Sequence, residues 1–91
     1  MLIRLIYASR TRNLGPMDVK DILESSRRNN STQGVTGALC LSNGIFLQCL
    51  EGDRMVVNAL YHRILLDSRH HDPAILDFEE IMYRQFGSWS M

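Results

Sequence analysis

The sequence carries no excess charge of either sign, since ten Lys and Arg offset ten Asp and Glu. A domain that grips nucleic acid through its phosphates shows a basic surplus or stripe, so this balance argues against that class. Long hydrophobic runs are also missing. Stretches such as Ile64-Leu65-Leu66 fall far short of the about 20 apolar residues that a membrane-spanning helix needs. Met1-Leu2-Ile3-Arg4 lacks the charged start and long apolar core of a secretory leader, which makes the cytosol the expected compartment. Two cysteines in 91 residues do not make a disulfide scaffold. Repeats, linkers and low-complexity segments are absent as well. What is present is 45% hydrophobic and 22% charged residues, the mixture of an ordinary globular chain. Residues 1–91 are room for one domain with a modest core. Any effector or C-terminal extension is then expected to be absent or supplied by a partner.

Hydrophobic periodicity divides the chain into six elements. Residues 2–9 alternate as a strand, with Ile3, Leu5 and Tyr7 on one face. Pro16 suits the first turn of a helix, where its missing N–H costs nothing, and the helix is expected over 16–30 with Val19, Ile22 and Leu23 as its stripe. Residues 35–41 and 45–50 read as two strands joined by Asn43-Gly44, the pair that favours a type I′ turn. A two-residue turn fixes the register, so Leu41 opposes Phe46, Cys40 opposes Leu47 and Leu39 opposes Gln48. Asp53 is placed to cap a second helix with Val57, Leu60, Tyr61 and Ile64 on one face, fading near Asp67. Residues 74–83 form a last strand of less regular alternation, followed by a short apolar-rich tail over 86–91. The order β-α-β-β-α-β predicts an α+β, ferredoxin-like sheet with two helices on one face.

Four polar residues do not suit a plain core. Val19, Leu23, Ser26 and Asn30 follow a 4-3-4 spacing, which puts Ser26 and Asn30 on the stripe of Leu23. Gln48 sits between Phe46 and Leu50 on a strand face, with four hydrogen-bonding positions to satisfy, each costing roughly 1–3 kcal/mol if left bare. Tyr7 adds a hydroxyl beside Ile3 and Leu5. Each alone reads as a satisfied core or capping group. Together they describe a slot with apolar walls and a few polar groups, the anatomy of a site for a flat ligand. The opposite sheet face carries Ala38, Cys40, Ile45, Leu47 and Cys49, none charged, so a partner or further chain is expected to cover it.

Short segments in order now point to a family. They are Leu5-Ile6-Tyr7-Ala8-Ser9, Arg28-Asn29-Asn30, Val35-Thr36-Gly37-Ala38-Leu39, the run from Gly44 to Gly52 that contains Phe46-Leu47-Gln48-Cys49-Leu50-Glu51, Asp67-Ser68-Arg69-His70, and Arg84-Gln85-Phe86-Gly87-Ser88-Trp89-Ser90-Met91. In these the chain resembles BLUF domains, the blue-light sensors that use flavin. The resemblance implies a ferredoxin-like fold with the flavin ring between the two helices, against the sheet. It implies that Tyr7 is the electron donor to the excited flavin and Gln48 the hydrogen-bond switch between Tyr7 and the flavin N5/O4 edge. Asn30 would fix the O4/N3 edge, with Ser26 beside this network and Asn29 a weaker contact. Arg69 would reach the pyrimidine edge or the ribityl chain, with Asp67 and His70 near it. Trp89 and Met91 match a pair on the last strand whose exchange is tied to signalling. The cofactor implied is FAD, although FMN or riboflavin can enter such sites. The implied partners are the flavin and a downstream effector, with either a second copy or C-terminal helices over the bare sheet face, and neither nucleic acid nor membrane. Such a chain is a photosensory flavoprotein without net catalysis.

His62, His70 and His71 lack metal-ligand spacing and read as solvent-exposed, so no metal is expected. Cys40 and Cys49 share a face without directly opposing one another. Glu79 and Glu80 fall on opposite faces of a strand, a poor acid/base pair. A small cofactor-independent enzyme and a ferredoxin-like module for small ligands or RNA stay as alternatives, and the colour of the purified protein separates them from a flavin sensor.

Overall fold

The computed structural model describes residues 1–11 and 15–87, with side chains except those of Pro16 and of residues 29–32. Six elements follow in the expected order: β1 (Leu2–Thr11), α1 (Pro16–Gln33), β2 (Thr36–Ser42), β3 (Ile45–Asp53), α2 (Arg54–Leu65) and β4 (His70–Glu80). The strands form one sheet in the order β2-β3-β1-β4, and each neighbouring pair is antiparallel. Two interlocked β-α-β units of this kind make the ferredoxin-like arrangement.

Local chemistry explains the element ends. Asn43 and Gly44 both take positive φ, 52° and 75°, as a type I′ turn requires, and the β2–β3 register is the one that the turn dictates. At the start of α1, Asp18 Oδ2 accepts the Gly15 backbone N–H at 3.0 Å, the reaching-back half of a capping box. This helix runs three residues beyond the expected Asn30 and ends at Gly34, whose φ of 71° is the usual left-handed stop. Asp53 caps α2, its Oδ2 accepting the Met55 N–H at 3.1 Å.

The last strand departs furthest from its expected bounds. It spans His70–Glu80 rather than 74–83, and its register against β1 slips twice. One slip leaves Leu76 unpaired between Ile75 and Asp77. The other falls at Asp72-Pro73, where Asp72 takes a φ of 51°. Each bulge inverts the alternation, which is why the strand's sequence has no clean period of two.

The core lies between the helices and one sheet face. Ile3, Leu5, Tyr7, Val35, Leu50 and Val57 are fully or almost fully buried there, joined by Ile22, Phe46, Leu60 and Tyr61. On α1 the buried member is Ile22, not Leu23. On the opposite face Ile45 and Leu47 remain partly open, 44% and 39% exposed, and Cys40 is exposed, while Cys49 is buried. That face is not wholly uncharged. Arg4 bridges Glu51 and Glu79 across it, both at 2.9 Å, and residues 84–86 return over it to Glu51.

Candidate functional site

The core is interrupted by a cleft between α1 and α2, with the sheet as its floor. Tyr7, Phe46 and Gln48 form the floor, Ile22, Ser25 and Ser26 one wall, and Leu60, Arg63 and Ile64 the other. Asp67, Arg69 and His70 close the rim. The cleft encloses about 180 Å³ and opens to solvent on one side.

Its central feature joins two strands. Tyr7 and Gln48 are direct partners in the β1–β3 register, and both are almost completely buried. The Tyr7 hydroxyl donates to Gln48 Oε1 at 2.5 Å. Burial, with a smaller contribution from the Tyr61 hydroxyl, drives the Tyr7 phenol far above its ordinary pKa, so it is neutral and holds its proton. The Tyr7 ring is packed by Tyr61, centroids 5.3 Å apart and tilted, and by Phe46 at 6.2 Å. Gln48 thus uses its carbonyl on Tyr7, and its NH₂ has no partner among the described residues.

The rim is held by two hydrogen-bonded groups. The Asp67 carboxylate takes the Arg69 backbone N–H at 2.9 Å and the guanidinium through Nε and Nη2, so Arg69 lowers the Asp67 pKa from its ordinary value. His70 is fixed at both ring nitrogens. Nε2 lies 2.6 Å from the Ile64 carbonyl oxygen and Nδ1 lies 2.8 Å from Ser9 Oγ. A carbonyl only accepts, so Nε2 carries a proton. In the neutral ring Ser9 therefore donates to Nδ1.

This arrangement brings together Tyr7, Ser26, Gln48, Asp67, Arg69 and His70 from among the residues singled out in the sequence. The side chains of Asn29 and Asn30, and all of Trp89 and Met91, lie outside the described residues. His62 is exposed as expected, but the same reading of His70 and His71 needs correction. His70 is half-buried and doubly bonded, and His71 is half-buried with its Nδ1 enclosed and unpaired. Among the described residues no cluster of His, Cys, Asp or Glu could hold a metal ion, and no helix is long and apolar enough to cross a membrane.

Sequence reasoning missed Arg63, Ser25 and Ser9. Ser25 was legible once Ile22 rather than Leu23 is taken as the inward residue, because it lies three positions further along the same face. Arg63 had no local signal: it lies beside Ile64 and reaches across the helix pair to Gln33.

The donor set fits a flat ring with a polar edge. Aromatic and aliphatic side chains supply the walls, and the Gln48 amide presents a hydrogen-bonding group within the cleft. An isoalloxazine ring has that shape and chemistry.

Comparison with known proteins agrees with the geometry. The photoactivated adenylate cyclase subunit beta of Euglena gracilis is 36% identical over 99% of this chain, which spans 11% of that protein's length. A solved bacterial light-regulated adenylyl cyclase superposes with a TM-score of 0.97 at 36% identity, covering 100% of this chain and 27% of that one. BlsA in its photo-activated state gives 0.96 at 36% identity, covering 100% of this chain and 67% of that one. Matched over residues 2–91 by the model for sensors of blue-light using FAD, the chain belongs to the BLUF family.

Proposed function

We propose that in this blue-light sensor domain Tyr7 is the donor of an electron and a proton and Gln48 is the switch that records the event. The observation that carries the reading is the buried 2.5 Å hydrogen bond from the Tyr7 hydroxyl to Gln48 Oε1, on the floor of a cleft shaped for a flat ring. A bound flavin supplies the absorption of blue light and, once excited, an oxidant able to draw an electron from a nearby phenol. Everything else falls to this chain.

Tyr7 is prepared for that role by burial. Its proton is firmly held in the dark and has one acceptor, Gln48 Oε1. A phenol that loses an electron becomes a strong acid, so the proton moves along this bond toward Gln48. Gln48 carries a donor and an acceptor on one rigid group. It can therefore settle in either of two states, with its carbonyl or its NH₂ toward Tyr7, after Tyr7 has recovered its electron and proton. Ser26 and, by resemblance, Asn29 and Asn30 hold the ring edge from α1, while Asp67, Arg69 and His70 shape the rim.

The signal passes to an effector rather than to chemistry in this chain. The chain spans only part of the cyclases that it resembles. Residues 84–86, which lead toward Trp89 and Met91, are tied to β3 three residues beyond Gln48. FAD is the flavin proposed. The test is a difference spectrum of the protein reconstituted with FAD, before and after blue light. A reversible red shift of the flavin bands that disappears in Gln48→Leu is expected. A colourless protein after reconstitution, or a shift that persists in the variant, overturns the reading.

A further inference from the structure

The β1–β3 ladder carries two side-chain pairs on opposite faces. Tyr7 and Gln48 meet on the helix side. Arg4 and Glu51 are also direct partners in that register and meet on the other side, where Arg4 Nε and Nη2 both donate to Glu51 Oε2 at 3.1 and 2.9 Å. Three rungs separate the pairs, about 10 Å along the strands. The same carboxylate accepts the successive backbone N–H groups of Gln85, on Oε2 at 3.0 Å, and Phe86, on Oε1 at 2.8 Å. Arg84 Nη1 donates to the Glu51 carbonyl oxygen at 3.0 Å and to Oγ1 of Thr36, the β2 partner of Glu51, at 2.8 Å. Among the described residues, every hydrogen bond from 82–87 to the sheet ends at Glu51 or Thr36. The apolar side chains that open this segment add little, since Met82 and Tyr83 are 84% and 80% exposed. The segment is fastened by polar bonds centred on one carboxylate, and such a fastening is either made or open.

We propose that Glu51 is a positioning residue through which the Gln48 switch controls the chain beyond β4. This rests on the function proposed for Tyr7 and Gln48. In the dark the Tyr7–Gln48 bond is 2.5 Å long. Turned to place its NH₂ toward Tyr7, Gln48 makes an N–H···O bond of about 2.9 Å, so β1 and β3 are pressed apart at that rung. A close-packed sheet passes on such a displacement rather than absorbing it. Three rungs away it draws Arg4 off Oε2, the oxygen that also holds Gln85. A buried carboxylate short of its counter-charge takes on water, and water displaces the backbone donors of residues 85 and 86. Gln48 and Glu51 point to opposite faces of one strand, so the switch on the cleft side is read on the far side of the sheet.

The test is amide hydrogen exchange of the FAD-loaded protein, resolved to Gln85 and Phe86, in the dark and under blue light. Light should speed exchange at these two amides about tenfold, the size of one hydrogen bond to a charged group. In Glu51→Gln both amides should exchange quickly in the dark, with and without flavin. Light should then add nothing, while the reversible red shift persists. Arg4→Lys keeps the charge but not the two-pronged hold on Oε2. It should keep the red shift and shrink the effect of light on exchange. A red shift in the unaltered protein with no change at Gln85 and Phe86 overturns the proposal. So does a full effect of light in Arg4→Lys, or a Glu51→Gln protein that loses the red shift while its circular dichroism is unchanged. If Glu51→Gln does not fold, Arg4→Lys decides alone. An unaltered protein without any red shift overturns the proposed function itself, and so is distinguished from failure of the Glu51 assignment.

Discussion

Tyr7 and Gln48 face each other across β1 and β3, and their side chains meet in a buried hydrogen bond of 2.5 Å. The backbone register, not a mobile loop, sets this contact, so both groups are held ready before any light arrives. Tyr7→Phe removes only the hydroxyl. The ring keeps its packing against Tyr61 and Phe46, while Gln48 Oε1 loses its donor. The variant should fold with a loss of about 1–2 kcal/mol, bind flavin and show no lasting red shift. Chemical denaturation and the light-minus-dark spectrum check the two halves of this prediction.

His70 joins three elements through its two ring nitrogens. It bonds the Ile64 carbonyl at the end of α2 and Ser9 on β1, and its ring lies 6.5 Å from that of Tyr7. The neutral ring must carry its proton on Nε2, because Ile64 can only accept. Long-range proton–nitrogen NMR of the neutral protein should show the Nε2–H tautomer. Ser9→Ala should cost about 1–2 kcal/mol by leaving the half-buried Nδ1 without its donor. An Nδ1–H tautomer in the unaltered protein would be incompatible with the Ile64 contact.

Much of this site was legible in the sequence because it rests on local rules. Asn43-Gly44 dictates the β2–β3 register, and the alternation in β1 and β3 then puts Tyr7 and Gln48 on the helix side. Asp53 announces α2 in the same way. The bounds and register of the fourth strand were not legible, because bulges at Leu76 and Asp72-Pro73 come from its fit to β1 and break the period on which a sequence reading depends. Nor was the bonding of Glu51, whose partners Gln85 and Phe86 stand more than thirty positions away along the chain. Contacts between distant residues leave no periodic trace.

Gly37 pairs with Leu50 where β2 crosses β3 very closely. A Cβ at this position would lie 1.8 Å from the Cys49 carbonyl oxygen and 2.9 Å from its carbon, both backbone atoms that cannot step aside. Gly37→Ala should therefore push β2 away from β3 at a cost of about 3 kcal/mol or more, lowering the melting temperature by over about 10 °C. Gly34→Ala meets no atom within 4 Å but keeps a φ of 71°, so its cost should be about 1 kcal/mol. Comparing the two melting curves separates a steric clash from backbone strain.

Glu51 is wholly buried, and four donors converge on its carboxylate. Oε2 accepts from Arg4 Nε at 3.1 Å, from Arg4 Nη2 at 2.9 Å and from the Gln85 backbone N–H at 3.0 Å, while Oε1 accepts from the Phe86 N–H at 2.8 Å. Arg84 adds a bond to the Glu51 carbonyl oxygen. Burial alone would raise the pKa of this carboxyl, yet the two backbone donors and Arg4 outweigh it and hold it below the ordinary value. A group with a depressed folded pKa stabilises the protein above its unfolded pKa of about 4.3, and that contribution is lost as pH falls through the folded value. Asp67, held down by Arg69, contributes with the same sign. Thermal unfolding followed from pH 7 to pH 3 should show the unaltered protein losing stability steeply below about pH 5. Glu51→Gln keeps one carbonyl acceptor but no charge, and should cost about 2–3 kcal/mol at pH 7. Its melting temperature should fall less over the same range, because only the Asp67 part remains to be lost, and the two curves should converge at the acid end. Parallel curves from pH 7 to pH 3 would mean that Glu51 is not ionised in the folded protein. Since its bonds fasten residues 85 and 86 to the sheet, the same variant should also make the chain beyond β4 more open to limited proteolysis at pH 7.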